Sequence, residues 1–157
     1  MEGDQKVIDA LNKALADELT AINQYMVHSE MCDNWGYSVL HEKVEKRAID
    51  EMKHAESLIA RILFFEGTPI VSNLNPMHIG NTVPEQLKND LAAEADAIKN
   101  YQNYIKVCLE VGDAGSRELL EDILQDEEDH ADWLEAQLDQ INQMGLENYL
   151  SAQVTNS

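Results

Sequence analysis

Apolar residues recur every three, four or seven positions along most of the chain, the period of helices with one buried face. From Asp4 to Asn34 nothing interrupts the pattern, and Ile8, Leu11, Leu15, Ile22 and Tyr25 share one stripe. Asn34-Trp35-Gly36 supplies a tight turn. A second stripe carries Val44, Ala48, Ala55, Leu58, Ile62 and Phe65. Gly67, Pro69, Pro76 and Gly80 then mark a loop over 66–82, and Thr82-x-x-Glu85 reads as a capping box opening a third helix. That helix aligns Leu87, Leu91, Ile98, Tyr101, Ile105 and Cys108. Gly112 to Gly115 make the next turn. The fourth aligns Leu120, Leu124, Ala131, Leu134, Leu138 and Ile141, and Gly145 ends it before a short helical tail. The predicted helices are 4–34, 37–65, 83–111, 114–144 and 146–153, in one domain spanning 1–157.

Lengths set the topology. Helices near 30 residues are about 45 Å long, and short turns make antiparallel hairpins of the first two and of the last two. A loop of some 17 residues reaches about 55 Å when extended. It can run the length of the bundle and start the third helix parallel to the second. The expected fold class is all-α: a four-helix bundle with one long crossover loop and a short fifth C-terminal helix.

Each stripe has a gap, and a glutamate fills it. Glu18 lies between Leu15 and Ile22, Glu51 between Ala48 and Ala55, Glu94 between Leu91 and Ile98, and Glu127 between Leu124 and Ala131. His54 and His130 follow their glutamates by three positions, on the same helix face. Glu18 and Glu51 are 33 positions apart, as are Glu94 and Glu127, and each midpoint falls at or near a turn. Residues equidistant from a hairpin turn lie at one height. A second spacing, 76, relates Glu18 to Glu94, Glu51 to Glu127, His54 to His130, Tyr25 to Tyr101 and Cys32 to Cys108. The chain reads as two copies of one hairpin, with six groups converging at mid-bundle.

Glutamates on helices usually face solvent. Four on apolar stripes, with no Lys or Arg at their level, would cost several kcal/mol each if they were buried without counter-charge. A pair of divalent cations supplies that charge, and an oxygen-rich set with two nitrogens suits iron or manganese. The spacing therefore points to a di-metal site.

Composition sharpens this picture. Eleven Lys and Arg against 30 Asp and Glu give a formal net charge of −19. Such a surface draws in cations and disfavours nucleic acid and anionic membranes as partners. No apolar run approaches the ~20 residues of a membrane span, and no leader opens the chain. Two cysteines are too few for a disulfide framework, so the expected location is cytoplasmic.

The stretches ELTAINQY (18–25), DEMKHAE (50–56), DEEDHADWLE (126–135) and MGLENYL (144–150) resemble bacterioferritin, the haem-containing branch of the ferritin family. The similarity runs from Met1 to about Gln153. It implies a ferritin-like bundle assembled from dimers into a hollow 24-subunit homo-oligomeric shell, which oxidises Fe(II) with dioxygen or peroxide and stores ferric mineral. It makes Glu18, Glu51, His54, Glu94, Glu127 and His130 the ligands of a di-iron centre, with Glu51 and Glu127 bridging. Tyr25 becomes a phenol beside that centre, although its stripe position reads equally well as a core aromatic.

Met52 lies about 100° around the helix from Glu51. Spacing alone puts it on a second apolar stripe with Ile49, Ile59 and Leu63, suited to a subunit interface. The resemblance makes it an axial ligand of a b-type haem shared across a two-fold axis, with a small ferredoxin docking nearby to drive iron release. Two positions depart from the family. Several relatives pair Asp50 with a histidine four positions earlier at an inner-surface iron site, and Lys46 stands there instead. A tyrosine found in some members is Leu58. Two other readings remain at the level of sequence: a cage-less di-iron oxidase or peroxidase of the rubrerythrin type, and a haem-binding electron carrier.

Overall fold

Helix α1 (Gln5–Asn34) begins where the Asp4 carboxylate accepts the Lys6 N–H at 2.8 Å. It is followed by α2 (Ser38–Phe64), α3 (Val83–Val111), α4 (Ala114–Met144) and a short α5 (Leu146–Ser151). The computed structural model describes residues 1–154; Thr155, Asn156 and Ser157, the last of the predicted 1–157 unit, lie outside the described residues. The expected architecture is present: four long helices, one long crossover and a short fifth helix, with no strand among the described residues. None of these helices is long and apolar enough to cross a membrane.

The caps explain where the helices stop. Thr82 Oγ1 accepts the Glu85 N–H, while Glu85 reaches back to the N–H of Asn81, one residue earlier than a standard capping box. Gly112, at φ +82°, ends α3 in the left-handed region that favours glycine. The Asp113 carboxylate then accepts the Ser116 N–H and opens α4. Three predicted bounds shift slightly. Helix α1 starts at Gln5, because Asp4 is its cap, and α2 spans Ser38–Phe64 rather than 37–65. The larger correction is α5, which ends at Ser151 rather than at 153. There the chain leaves the helix so that the Gln153 carbonyl accepts the Val39 N–H at 3.0 Å. That bond satisfies a first-turn donor of α2, which has no side-chain cap of its own.

The crossover, residues 65–82, climbs α1 as a strap held by α1 side chains in order. Asn12 accepts the Ile70 N–H, Thr20 that of Asn75, Gln24 that of His78 and His28 that of Gly80, at 2.8–3.1 Å. The strap therefore returns to the C-terminal end of α1, and α3 descends antiparallel to α1 and parallel to α2. Gly80 is required here, since a Cβ would stand 2.5 Å from the Gln86 backbone nitrogen.

His28 is fully buried. Its Nε2 accepts the Gly80 N–H, so Nδ1 carries the proton and donates it to Asp90 at 2.8 Å. Gln24 also donates to Asp90. Replacing Asp90 with alanine strands two buried donors at about 1–3 kcal/mol each. The expected result is a loss of about 3 kcal/mol, seen as a lower thermal midpoint at fixed protomer concentration. An unchanged midpoint would show that the strap is held elsewhere.

Two large apolar clusters and a small third one, of Tyr25, Val44 and Ala48, pack the described bundle. One gathers Leu11, Leu15, Leu58, Ile62, Cys108 and Leu120 near the start of α1. The second large one gathers Cys32, Leu40, Leu87, Leu134 and Tyr149 at the opposite end. Both cysteines are free and buried, and burial pushes each thiol up to about 11. The polar centre lies between the two large clusters.

Candidate metal centre

The four stripe glutamates are at most 2% exposed, with His130 at 2% and His54 at 8%. One group of converging atoms comes from Glu18, Glu51, His54 and Glu127, and a second from Glu51, Glu94, Glu127 and His130. Within each group the ligand atoms lie within 4.8 Å of one another. Glu51 and Glu127 belong to both. Two four-residue cages that share two carboxylates are the geometry of two adjacent cations with bridging ligands.

The histidines are turned to serve this arrangement. His54 Nδ1 faces inward, 3.2 Å from Glu127 and 3.5 Å from both Glu18 and Glu51, while its Nε2 lies 2.7 Å from Asp126. His130 Nδ1 lies 2.9 Å from Glu51 and 3.5 Å from Glu94, and its Nε2 is 3.4 Å from Asp50. An outer carboxylate behind a histidine fixes the ring and raises its basicity, as ligating histidines usually require. Asp50 is thus placed between His130 and the Lys46 ammonium, which is 3.6 Å away.

Two phenols complete the symmetry. Tyr25 donates its hydroxyl hydrogen to Glu94, and Tyr101 donates to Glu18; both rings are buried. Burial first, and the surrounding carboxylates next, push both phenols well above their usual range. They remain neutral donors. Tyr25 was foreseen from the sequence, but Tyr101 and Asp126 were not. The signal that finds them is the 76-residue offset, which maps Tyr25 onto Tyr101 and Asp50 onto Asp126.

The charge arithmetic is unfavourable without cations. Burial, followed by repulsion from Glu18, holds the Glu51 and Glu127 carboxyls well above the usual range. Burial also opposes ionisation of Glu94, but the neighbouring Glu127 carboxyl, itself held protonated, and the nearby His130 outweigh it and lower that carboxyl. For His54, burial disfavours the cation, yet the nearby Glu127 and Glu18 carboxylates prevail and raise it to about 11. Among the described residues no Lys or Arg pairs with any of the four glutamates. Glu18 Oε2, Glu51 Oε1, Glu94 Oε2, Glu127 Oε1 and both inward Nδ1 atoms are buried without a hydrogen-bond partner. Such orphans are costly. Their common direction is toward the space two divalent cations would fill, so the residues fit that group.

A cleft of about 1050 Å³ joins the centre to the surface between α1, the strap and α3. Asp9, Asp17 and Asp96 line it with Lys13 and Lys99, and it reaches Glu18 and Glu94. Asp17 accepts hydrogen bonds from Tyr104, Asn75 and Asn100.

Met52 points elsewhere, as its rotation on α2 requires. It is 46% exposed beside Met26 and Ile49, which are also exposed. A second cavity of about 240 Å³ is lined by Met52, Met26, Ile22, Ala48 and Ile49. The Met52 thioether at the edge of this mostly apolar hollow, which Ser29, Glu30 and Glu45 also line, is a donor and a shape that fit a flat apolar macrocycle.

A family model described as a ferritin-like domain matches residues 8–144. The chain is 44% identical to the bacterioferritin of Brucella melitensis over 149 residues, 95% of this chain and 92% of that protein. The bacterioferritin of Rhodobacter capsulatus shows the same identity and the same coverage. A bacterial ferritin of Synechocystis sp. is 45% identical over 156 residues, 99% of this chain and all of that protein.

Proposed function

The chain belongs to the bacterioferritin family, so its business is iron storage, and we propose that it fills its own store by oxidising Fe(II) between its helices. The observation that carries this reading is the set of orphaned carboxylate oxygens and inward Nδ1 atoms, arranged as two cages with two shared glutamates. Iron enters as substrate. Glu18 and His54 hold one Fe(II), Glu94 and His130 hold the other, and Glu51 and Glu127 bridge them.

The protein contributes position and charge. Four carboxylates stabilise Fe(III) more than Fe(II), which favours electron loss to dioxygen or peroxide. Asp126 and Asp50 keep each Nδ1 aimed inward, and the two phenols hold the terminal glutamates in place. The acidic cleft gives Fe(II) a path inward. Ferric product would accumulate inside a hollow 24-subunit shell of identical copies built from dimers. With Lys46 already paired to Asp50, a separate inner-surface iron site at Asp50 would have to displace an ammonium.

Two measurements on one sample test the reading: the native mass of the purified protein, and dioxygen uptake after anaerobic loading with two Fe(II) per subunit. A shell-sized particle oxidising Fe(II) far faster than buffer alone is expected. A dimer-sized particle with the same activity would support a cage-less oxidase instead, and no oxidation would sink the reading.

Haem would be held by Met52 from each of two facing chains, with Ile22, Met26 and Ile49 against the ring. When bound it supplies a one-electron relay for mineral reduction, the step at which a small ferredoxin would deliver electrons. Met52→Leu keeps volume and apolarity, so packing should change by less than about 1.5 kcal/mol. The variant should lose bound haem and release iron slowly, while its oxidation rate holds. A variant that retains haem with an unchanged absorption spectrum would rule out Met52 as the ligand.

A further inference from the structure

We propose that Tyr101, backed by Tyr104, gives one electron to the centre, and that its repeat-mate Tyr25 gives another from the opposite side. The inference rests on the ferroxidase reading above. Its geometry is specific to the two hairpins. Tyr25 donates to Glu94 and Tyr101 donates to Glu18, so each terminal carboxylate has its own buried phenol. The positions 25, 94, 101 and 18 exchange under the 76-residue offset. Packing alone would be served by phenylalanine or leucine. Both rings pack among apolar side chains, and each hydroxyl reaches out of that packing to a metal-facing carboxylate.

Electron counting gives the pair a purpose. Reducing dioxygen to water takes four electrons and four protons, and two Fe(II) supply only two electrons. One additional donor would stop at the three-electron stage, which yields hydroxyl radical. Two donors reach water. The balanced step takes two Fe(II), two phenols, one dioxygen and two protons to two Fe(III), two neutral tyrosyl radicals and two waters. Each phenol loses its electron to the oxidant, and its proton passes through the carboxylate it already touches to the reduced oxygen, which completes the four protons of two waters.

Recovery then needs a route out, and the Tyr101 side has one. The Tyr101 and Tyr104 rings stand edge to face with centroids 5.7 Å apart. Tyr104 lines the cleft and donates to Asp17 at 2.8 Å. A radical on Tyr101 can pass to Tyr104, where one Fe(II) arriving in the cleft restores the phenol. That step consumes one Fe(II) and one proton per radical and leaves Fe(III).

The test uses the assembled protein with ring-deuterated tyrosine, loaded anaerobically with two Fe(II) per subunit and mixed with excess dioxygen. Freeze-quenched samples are read by electron paramagnetic resonance, and released hydrogen peroxide is assayed in parallel. The wild type should show tyrosyl radical, identified by narrowing on deuteration, with little peroxide. Tyr25→Phe should keep part of that signal, carried by Tyr101. Tyr101→Phe should keep the complementary part, and the double variant should lose both while peroxide rises toward one per two Fe(II). Tyr104→Phe should lengthen the radical lifetime without lowering its initial yield. The proposal is overturned if Tyr25→Phe alone abolishes the radical, an outcome that does not depend on Tyr101→Phe assembling. It is also overturned if Tyr101→Phe leaves radical yield and peroxide release at wild-type values. A wild type that fails to oxidise Fe(II) at all would strike the ferroxidase reading beneath it, and dioxygen uptake registers that separately.

Discussion

Glu51→Gln and Glu127→Gln should each abolish fast Fe(II) oxidation and, in the same protein without metal, raise its stability. Both residues belong to both cages, so either change removes a ligand from two cations at once. Loss of a partner behind a ligand already costs 10–100-fold, and loss of a shared ligand should exceed a hundredfold. Stability moves the other way because these two carboxyls are held well above their ordinary range by burial and by Glu18. The folded, metal-free chain prefers them neutral, and glutamine is the neutral isostere. A gain of the order of 2 kcal/mol near neutral pH is expected from removing a buried like-charge conflict.

Glu94→Ala should also abolish oxidation, but with the opposite effect on stability. Glu94 is the carboxyl that its hydrogen bonds lower, and truncating it strands the Tyr25 hydroxyl and an inward face of His130. The ligand role is therefore tested by activity, and the charge account by the sign of the change in thermal midpoint. If glutamine at 51 and alanine at 94 shift the midpoint in the same direction, the electrostatic account fails. If either variant oxidises Fe(II) at the wild-type rate, the ligand assignment fails.

Much of this centre was legible in the sequence because glutamates interrupt apolar stripes at regular heights. The spacings of 33 and 76 needed only helix geometry and hairpin symmetry to bring Glu18, Glu51, Glu94 and Glu127 together. Side-chain direction was not legible. That both histidines face inward through Nδ1 follows from Asp126 and Asp50, which lie on the opposing helices and have no spacing signature within the histidines' own. The strap was readable as a loop of sufficient reach. Its ladder of acceptors at Asn12, Thr20, Gln24 and His28 was not, because polar residues between apolar ones on α1 look like an ordinary solvent face. The early end of α5 was hidden for the same reason: helix propensity is local, and the demand of the Val39 N–H is not. Tyr101 was visible only as a repeat-mate, since a tyrosine on an apolar stripe is ordinary core until its hydroxyl finds a partner.

The largest effect of solution conditions should be opposite pH dependences of the metal-free and metal-loaded protein. For the metal-free chain the sign follows from three groups. Glu51 and Glu127 are raised above their unfolded values, and His54 is raised to about 11. A raised folded value means that the folded state binds protons more tightly than the unfolded state. The stability so gained is complete below the unfolded value and is lost as pH climbs through the folded one. Glu94 runs the other way, its contribution lost on acidification, but it stands against three. Metal-free protein should accordingly melt at lower temperature as pH rises from about 5 to 8, each proton of difference being worth about 1.4 kcal/mol per pH unit. Loading reverses the trend. A divalent cation binds ionised carboxylates and neutral imidazole, so occupancy grows with pH and stabilises the fold by mass action. Thermal scans with and without redox-inert Co(II) or Zn(II) across that range would display the crossing. Direct measurement of protons released on Co(II) binding should show release. Net charge of −19 also makes repulsion grow with pH wherever groups titrate, so Glu51→Gln/Glu127→Gln isolates the centre. The double variant should flatten most of the metal-free slope and abolish both metal stabilisation and proton release. If its slope matches the wild type, the pH dependence originates on the surface and the buried carboxylates are not the groups that titrate.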